Sequence, residues 1–171
     1  LSSIGTGRSY GVELQLQKKF SAVPLYGLVS LTANRSEYAG VDSVYYTGSF
    51  ETRFIGNLLA GWRFNPKWEL SGKYRLATGL PYTPFAATGP EQGERDFSQY
   101  NQQRLPTYSA VDIRIDRRWS FRAVQLDVYL DIQNLFGGEN VTGTYWNERT
   151  QQEEFDEGLG ILPTIGVNVE F

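Results

Sequence analysis

The chain has 171 residues, with 16 Lys and Arg against 19 Asp and Glu, a net charge of −3 and a pI near 5.1, so it offers no basic surface for nucleic acid. It has no cysteine and no histidine; disulfides, thiolate metal sites and cysteine nucleophiles are excluded, and triads and zinc hydrolases lack their usual parts. Mean hydropathy is −0.39, and no apolar run approaches the roughly 18–20 residues of a membrane helix, although a β-barrel crosses a bilayer with only half of each strand apolar.

The first predicted strand covers residues 9–20. From Tyr10 the apolar residues fall two apart (Tyr10, Val12, Leu14, Leu16, then Phe20), with Gly11, Glu13, Gln15, Gln17 and Lys19 between them. Period two gives one oily face and one polar face. A tight turn near 21–24 leads to a second strand, 25–36, with Leu25, Val29, Leu31 and Ala33 opposite Ser30, Thr32 and Asn34. A polar and aromatic loop near 37–49 precedes a third strand, 50–64. There Phe54, Leu58, Ala60, Trp62 and Phe64 oppose Glu51, Arg53, Asn57 and Arg63. The Asn-Pro-Lys turn at 65–67 opens a fourth strand, 68–78, with Trp68, Leu70, Tyr74 and Leu76 against Glu69, Ser71, Lys73 and Arg75.

A long stretch rich in Pro, Gly and Gln, 79–107, has no period. The fifth strand, 108–119, sets Val111, Ile113, Ile115 and Trp119 against Asp112, Arg114, Asp116 and Arg118. After a short turn near 120–123, the sixth places Val124, Leu126, Val128, Leu130, Ile132 and Phe136 opposite Gln125, Asp127, Asp131 and Gln133. A second long stretch, 137–160, has room for a hairpin. A seventh strand ends the chain with Ile165, Val167, Val169 and Phe171 on one face.

Alternation alone fits a soluble sandwich with its oily face inside or a membrane barrel with its oily face outside. Short turns and long loops alternate strictly, as in outer-membrane barrels, and Phe20, Trp62, Phe64, Trp68, Trp119, Phe121 and Phe171 gather at the short-turn ends, as an interfacial girdle requires. The reading is therefore all-β: an antiparallel transmembrane β-barrel segment. The count comes to about seven strands, which is odd and leaves two open edges, so the rest of a larger barrel is expected. The chain contains no methionine and opens on Leu1; its translational start is expected upstream, before a removed signal peptide or within a longer parent.

Five stretches, "GRSYGVELQLQKKF", "YRLATGLPYTPF", "RLPTYSAVDIRIDRRWSF", "LDVYLDIQNLFG" and "LPTIGVNVEF", resemble in order the C-terminal barrel of TonB-dependent outer-membrane receptors. The likeness is closest to the branch whose precursor carries a carboxypeptidase-regulatory-like domain. That family's barrel has about 22 strands and a plugged lumen, and residues 1–171 would form its last seven. The resemblance implies non-enzymatic, TonB-powered uptake of scarce, bulky nutrients (metal chelates, vitamins, glycans or peptides) across the outer membrane of a Gram-negative bacterium. It implies as partners outer-membrane lipid, the remaining barrel and plug domain, TonB through a missing N-terminal region, and the barrel-assembly machinery. A surface lipoprotein is a further partner in some members. No cofactor or metal is implied. The competing readings are a small autonomous outer-membrane barrel with a structural or adhesive role, an outer-membrane hydrolase and a soluble ligand-binding barrel.

On the polar face, Glu13, Arg53, Arg75, Asp112, Arg114 and Asp131 are the plug-facing candidates implied by the resemblance. The plainer alternative is a wetted wall whose ion pairs are worth under about 1 kcal/mol each. In the outer loops Tyr82, Phe85, Arg95, Tyr100, Tyr145 and Trp146 are candidate substrate contacts, since aromatics give large contact area at low entropy cost; packing of loop against loop is the alternative. Val167, Val169 and Phe171 resemble the C-terminal signal read by the barrel-assembly machinery, with simple girdle packing as the alternative. The acidic run 153–158 fits no calcium-loop spacing, and "GTGRSYG" fails as a dinucleotide fingerprint because a strand follows it.

Overall fold

In the computed structural model, which describes residues 5–171, there are twelve strands: β1 (Thr6–Lys18), β2 (Leu25–Ala39), β3 (Tyr45–Thr47), β4 (Phe54–Asn65), β5 (Trp68–Ala77), β6 (Pro81–Tyr82), β7 (Gln103–Arg104), β8 (Tyr108–Ser120), β9 (Gln125–Gln133), β10 (Val141–Asn147), β11 (Gln152–Glu157) and β12 (Leu162–Glu170). Seven of them make one antiparallel meander in the order β1-β2-β4-β5-β8-β9-β12, with β3 adding a short flap to β2. The sheet does not close: among the described residues β1 and β12 each pair on one side only.

Turn chemistry explains the tight ends. Asn65 Oδ1 accepts from the backbone N–H of Lys67 (2.9 Å) and of Trp68 (3.0 Å), the Asx geometry that reverses a chain in few residues. The β8–β9 reversal closes with Phe121 N–H donating to the Val124 carbonyl at 2.8 Å.

Three expectations about the strands are corrected. β4 starts at Phe54 rather than at 50, because Glu51 is drawn out of the wall and buried in an ion pair with Arg104. Phe136 does not lie on the apolar face of β9. The strand stops at Gln133, where Asn134 (φ 50°) and Gly137 (φ 65°) turn left-handed and the Asn134 amide donates to the carbonyls of Gly138 and Leu159. The loop near 37–49 is partly strand: β2 runs on to Ala39, and β3 folds back on it. The hairpin in the second long stretch exists, as β10–β11, but it pairs only with itself and adds no strand to the sheet.

The apolar face is bare. Among the described residues no large side chain is fully buried, and the buried apolar residues are only Ala39, Ala77, Leu105 and Ala110. Val12 and Ile165 are each 75% exposed, with Leu14, Leu16, Leu58, Trp62, Leu130 and Val167 also open. A soluble sandwich would have hidden such side chains. On the opposite face two aromatics lie over glycines: Tyr26 against Gly61 and Tyr129 against Gly166, where any Cβ would strike the ring.

Candidate functional site

The polar face is a charged wall built by register. Lys73 on β5 stands opposite Asp112 on β8, and their Nζ and Oδ2 meet at 2.7 Å. Asp112 Oδ1 also accepts the Asn134 backbone N–H at 2.9 Å, which ties the end of β9 to the wall. Arg118 on β8 reaches its cross-strand partner Asp127 at 2.9 Å. Toward the short-turn end Glu69 takes the Tyr26 hydroxyl at 2.5 Å and the Arg63 guanidinium at 2.8 Å. Arg114 stands opposite Asp131 in register, yet its fork goes along its own strand to Asp116 (2.6 Å) while its plane covers Tyr129 at 3.7 Å.

The six wall candidates therefore divide. Asp112 and Arg114 are paired within the sheet, and Arg53, one residue before β4, sits 3.5 Å from Glu51. Among the described residues Asp131 receives only the Gln133 amide, at 3.2 Å. Among the described residues Glu13 has no ionic partner, and Arg75 stands 5.7 Å above Tyr108 with none. Tyr26, Ser71, Lys73, Asp112, Arg114 and Asp131 line a shallow depression of about 290 Å³ on this face. It presents both signs of charge, which suits a polar protein surface better than a single small ion.

The long loops are locked together. Arg95 donates to the Thr83 carbonyl (2.6 Å) and to Thr144 Oγ1 and carbonyl (2.9 and 2.8 Å), while its guanidinium lies 3.8 Å over Phe85. Phe85 in turn packs on Trp146, their ring centroids 6.0 Å apart, and Gly93 (φ 84°) lies against the indole edge. Phe85, Arg95 and Trp146 thus join the loop between β5 and β8 to the β10–β11 hairpin. Tyr100 packs edge-on against Tyr46, 5.9 Å between centroids. Asn101, with φ 52°, donates to the Thr47 carbonyl at 2.7 Å.

Tyr145 is half exposed and donates to Glu154 at 2.8 Å. Asn147, Thr150 and Tyr145 all donate to Glu154 and hold its carboxyl below the usual carboxylate range, while that carboxylate pushes the Tyr145 phenol up. Burial, with help from Glu153, raises the Tyr82 phenol. Tyr82, Phe85, Asp96, Gln99 and Glu153 rim an open, largely polar depression of about 430 Å³ among the loops. The acidic run is occupied locally: Glu153 accepts the Phe85 backbone N–H at 3.4 Å, and among the described residues no group of carboxylates is placed to hold a metal.

Val167 and Val169 lie on the exposed apolar face of β12, opposite Val128 and Leu126 of β9, and Phe171 follows fully exposed. The buried Glu51–Arg104 pair and the Asn101 and Asn134 anchors are organising residues that alternation did not reveal. Only the asparagines carried a signal, since this residue type tolerates left-handed turns.

A protein-family model described as "TonB dependent receptor-like, beta-barrel" matches residues 1–135, which run from the start of the chain to just past β9. No curated protein matches the sequence.

Proposed function

Since the chain belongs to the TonB-dependent receptor-like β-barrel family, a family of outer-membrane transporters, we propose that it supplies seven consecutive strands to the wall of an active importer. The uncovered apolar face carries this reading. A sheet with Val12, Leu16, Leu58, Ile165 and Val167 bare on one side and ion pairs on the other matches a wall with lipid outside and a polar lumen inside.

The two open edges call for further strands, because lipid cannot hydrogen-bond an unpaired backbone. The mixed-charge depression around Lys73, Asp112 and Arg114 faces the lumen, where a plug domain would present complementary groups. Glu13, Arg75 and Asp131 are the side chains left over for that contact. The polar depression rimmed by Tyr82, Phe85 and Glu153 lies in the loops that meet the nutrient. Its size and polarity suit a bulky polar ligand such as a glycan, a peptide or a metal chelate. Val167, Val169 and Phe171 present the apolar signal read by the assembly machinery.

Single cysteines placed in this cysteine-free stretch, with any cysteine elsewhere in the intact protein replaced, can carry spin labels in the protein assembled in its own outer membrane. Labels at Leu14, Leu58 and Ile165 should be relaxed by oxygen and shielded from a water-soluble nickel complex, with the reverse at Glu13, Ser71 and Asp131. Equal nickel access on both faces would overturn the barrel reading and favour a sheet in water.

A further inference from the structure

Three arginines on the polar face of the wall hold carboxylates: Arg63 with Glu69, Arg114 with Asp116 and Arg118 with Asp127. Arg117 breaks the pattern. It has the parity of Ile113, Ile115 and Trp119, so it stands on the apolar face, opposite Trp68 on β5 and Val128 on β9. Its guanidinium carbon lies 4.8 Å from the Trp68 ring centroid and 4.7 Å from that of Trp119. Its Nε is buried and has no hydrogen-bond partner, and among the described residues no carboxylate pairs with it.

Aromatic rings attract a guanidinium through its faces. They leave the in-plane N–H groups unused, and those groups form a planar fork matched to two oxygens of a phosphate or carboxylate. Here the fork lies three residues before the end of β8, at the short-turn rim shared with Trp62 and Phe64, on the side that the proposed function turns toward lipid. At that depth the headgroups of the inner leaflet are the anions within reach. A snorkelling arginine would carry its whole head into water, Nε included; the buried, partnerless Nε shows a head held at the rim instead.

We propose that Arg117, held by Trp68 and Trp119, binds the phosphodiester of a phospholipid in the periplasmic leaflet, with the fork donating to two non-bridging oxygens. The site rests on the membrane reading of the apolar face. It gives the wall one fixed lipid beside the β4–β5 and β8–β9 turns, in addition to the non-specific girdle.

The test uses the intact protein extracted from its own outer membrane in mild detergent. Native mass spectrometry compares wild type with R117Q and R117K, titrated with dioleoyl-phosphatidylglycerol, with dioleoylglycerol (the same chains without phosphate) and with inorganic phosphate. Wild type should bind phosphatidylglycerol about tenfold more tightly than R117Q, as expected for loss of a charge-assisted, bidentate contact. R117K, which keeps the charge but loses the fork, should fall between them, and dioleoylglycerol should show no difference. Equal phosphatidylglycerol binding by wild type and both variants overturns the proposal. Displacement of the lipid by inorganic phosphate would overturn the lipid assignment and make this a free-anion site. A protein that stays in solution without detergent would instead overturn the membrane reading itself.

Discussion

Leu130→Arg tests the orientation of the wall most directly. Leu130 lies near the middle of β9, between Ile115 on β8 and Ile165 on β12, and its side chain is 44% exposed. An arginine there has no carboxylate beside it on that face, because Asp116, Asp127 and Asp131 point the other way. If the face meets lipid, the substitution should cost about 2–4 kcal/mol, the value for an arginine near the bilayer midplane of a barrel. Val169→Arg, one residue from the end of β12 on the same face, should cost only about 0–1 kcal/mol, because the head reaches the interface. Gln133→Arg on the polar face should stay within about 0.5 kcal/mol, as an open polar position does. The assay is reversible urea unfolding of the intact protein folded into phosphatidylcholine vesicles, followed by tryptophan fluorescence. The ordering Leu130 well above Val169, with Gln133 near zero, is the expected outcome. A cost below about 0.5 kcal/mol at Leu130 would place the apolar face in water. An equal, large cost at Leu130 and Val169 would trace the effect to packing rather than depth.

Arg104→Met should strand the buried Glu51 carboxylate, leaving it the Arg53 contact at 3.5 Å and the Ser36 backbone N–H at 3.3 Å. Breaking a buried pair from one side costs about 3–5 kcal/mol, so limited proteolysis should cut residues 40–53 much faster in the variant. Gly166→Ala places a methyl against the Tyr129 ring; a cost of about 1–3 kcal/mol is expected for overpacking, and Tyr129→Ala in the same background should relieve the clash in a double-mutant cycle. The Glu154 carboxyl is held below its ordinary range by Asn147, Thr150 and Tyr145. Its contribution to the β10–β11 hairpin is therefore full above the ordinary carboxylate value and disappears as pH falls through the lowered one. Amide protection factors across 141–157, taken against intrinsic exchange at each pH, should fall at acid pH in wild type, and Glu154→Gln should flatten that acid limb.

Much of the wall was legible because one physical constraint repeats in every strand. A sheet between lipid and a polar interior must alternate, so the strands containing Leu14, Leu58, Ile115, Leu130 and Val167 were marked by period alone. The turns were marked by Asn65-Pro66 and by the break in alternation near Phe121. Strand ends were less legible. β9 stops at Gln133 because the Asn134 side chain satisfies the Leu159 carbonyl, twenty-five residues away, and β4 starts late because Glu51 finds Arg104 across another loop. Both contacts depend on residues distant in sequence. Arg117 left a visible trace, a charged residue with apolar parity, but its meaning depended on which indoles the register would bring beside it.

The sequence by itself determined the all-β class, the two-faced strands, the aromatic rim and the family, since each is written in local spacing or in an ordered run of motifs. Tertiary structure alone decided which charges pair with one another and, among the described residues, which do not, and it turned Phe85, Arg95 and Trp146 from loop aromatics and a cation into one interlocked cluster. Local spacing sets which face a side chain takes, because the pleat has period two. Its neighbour on that face is set by strand register and loop return, which the whole chain must settle at once.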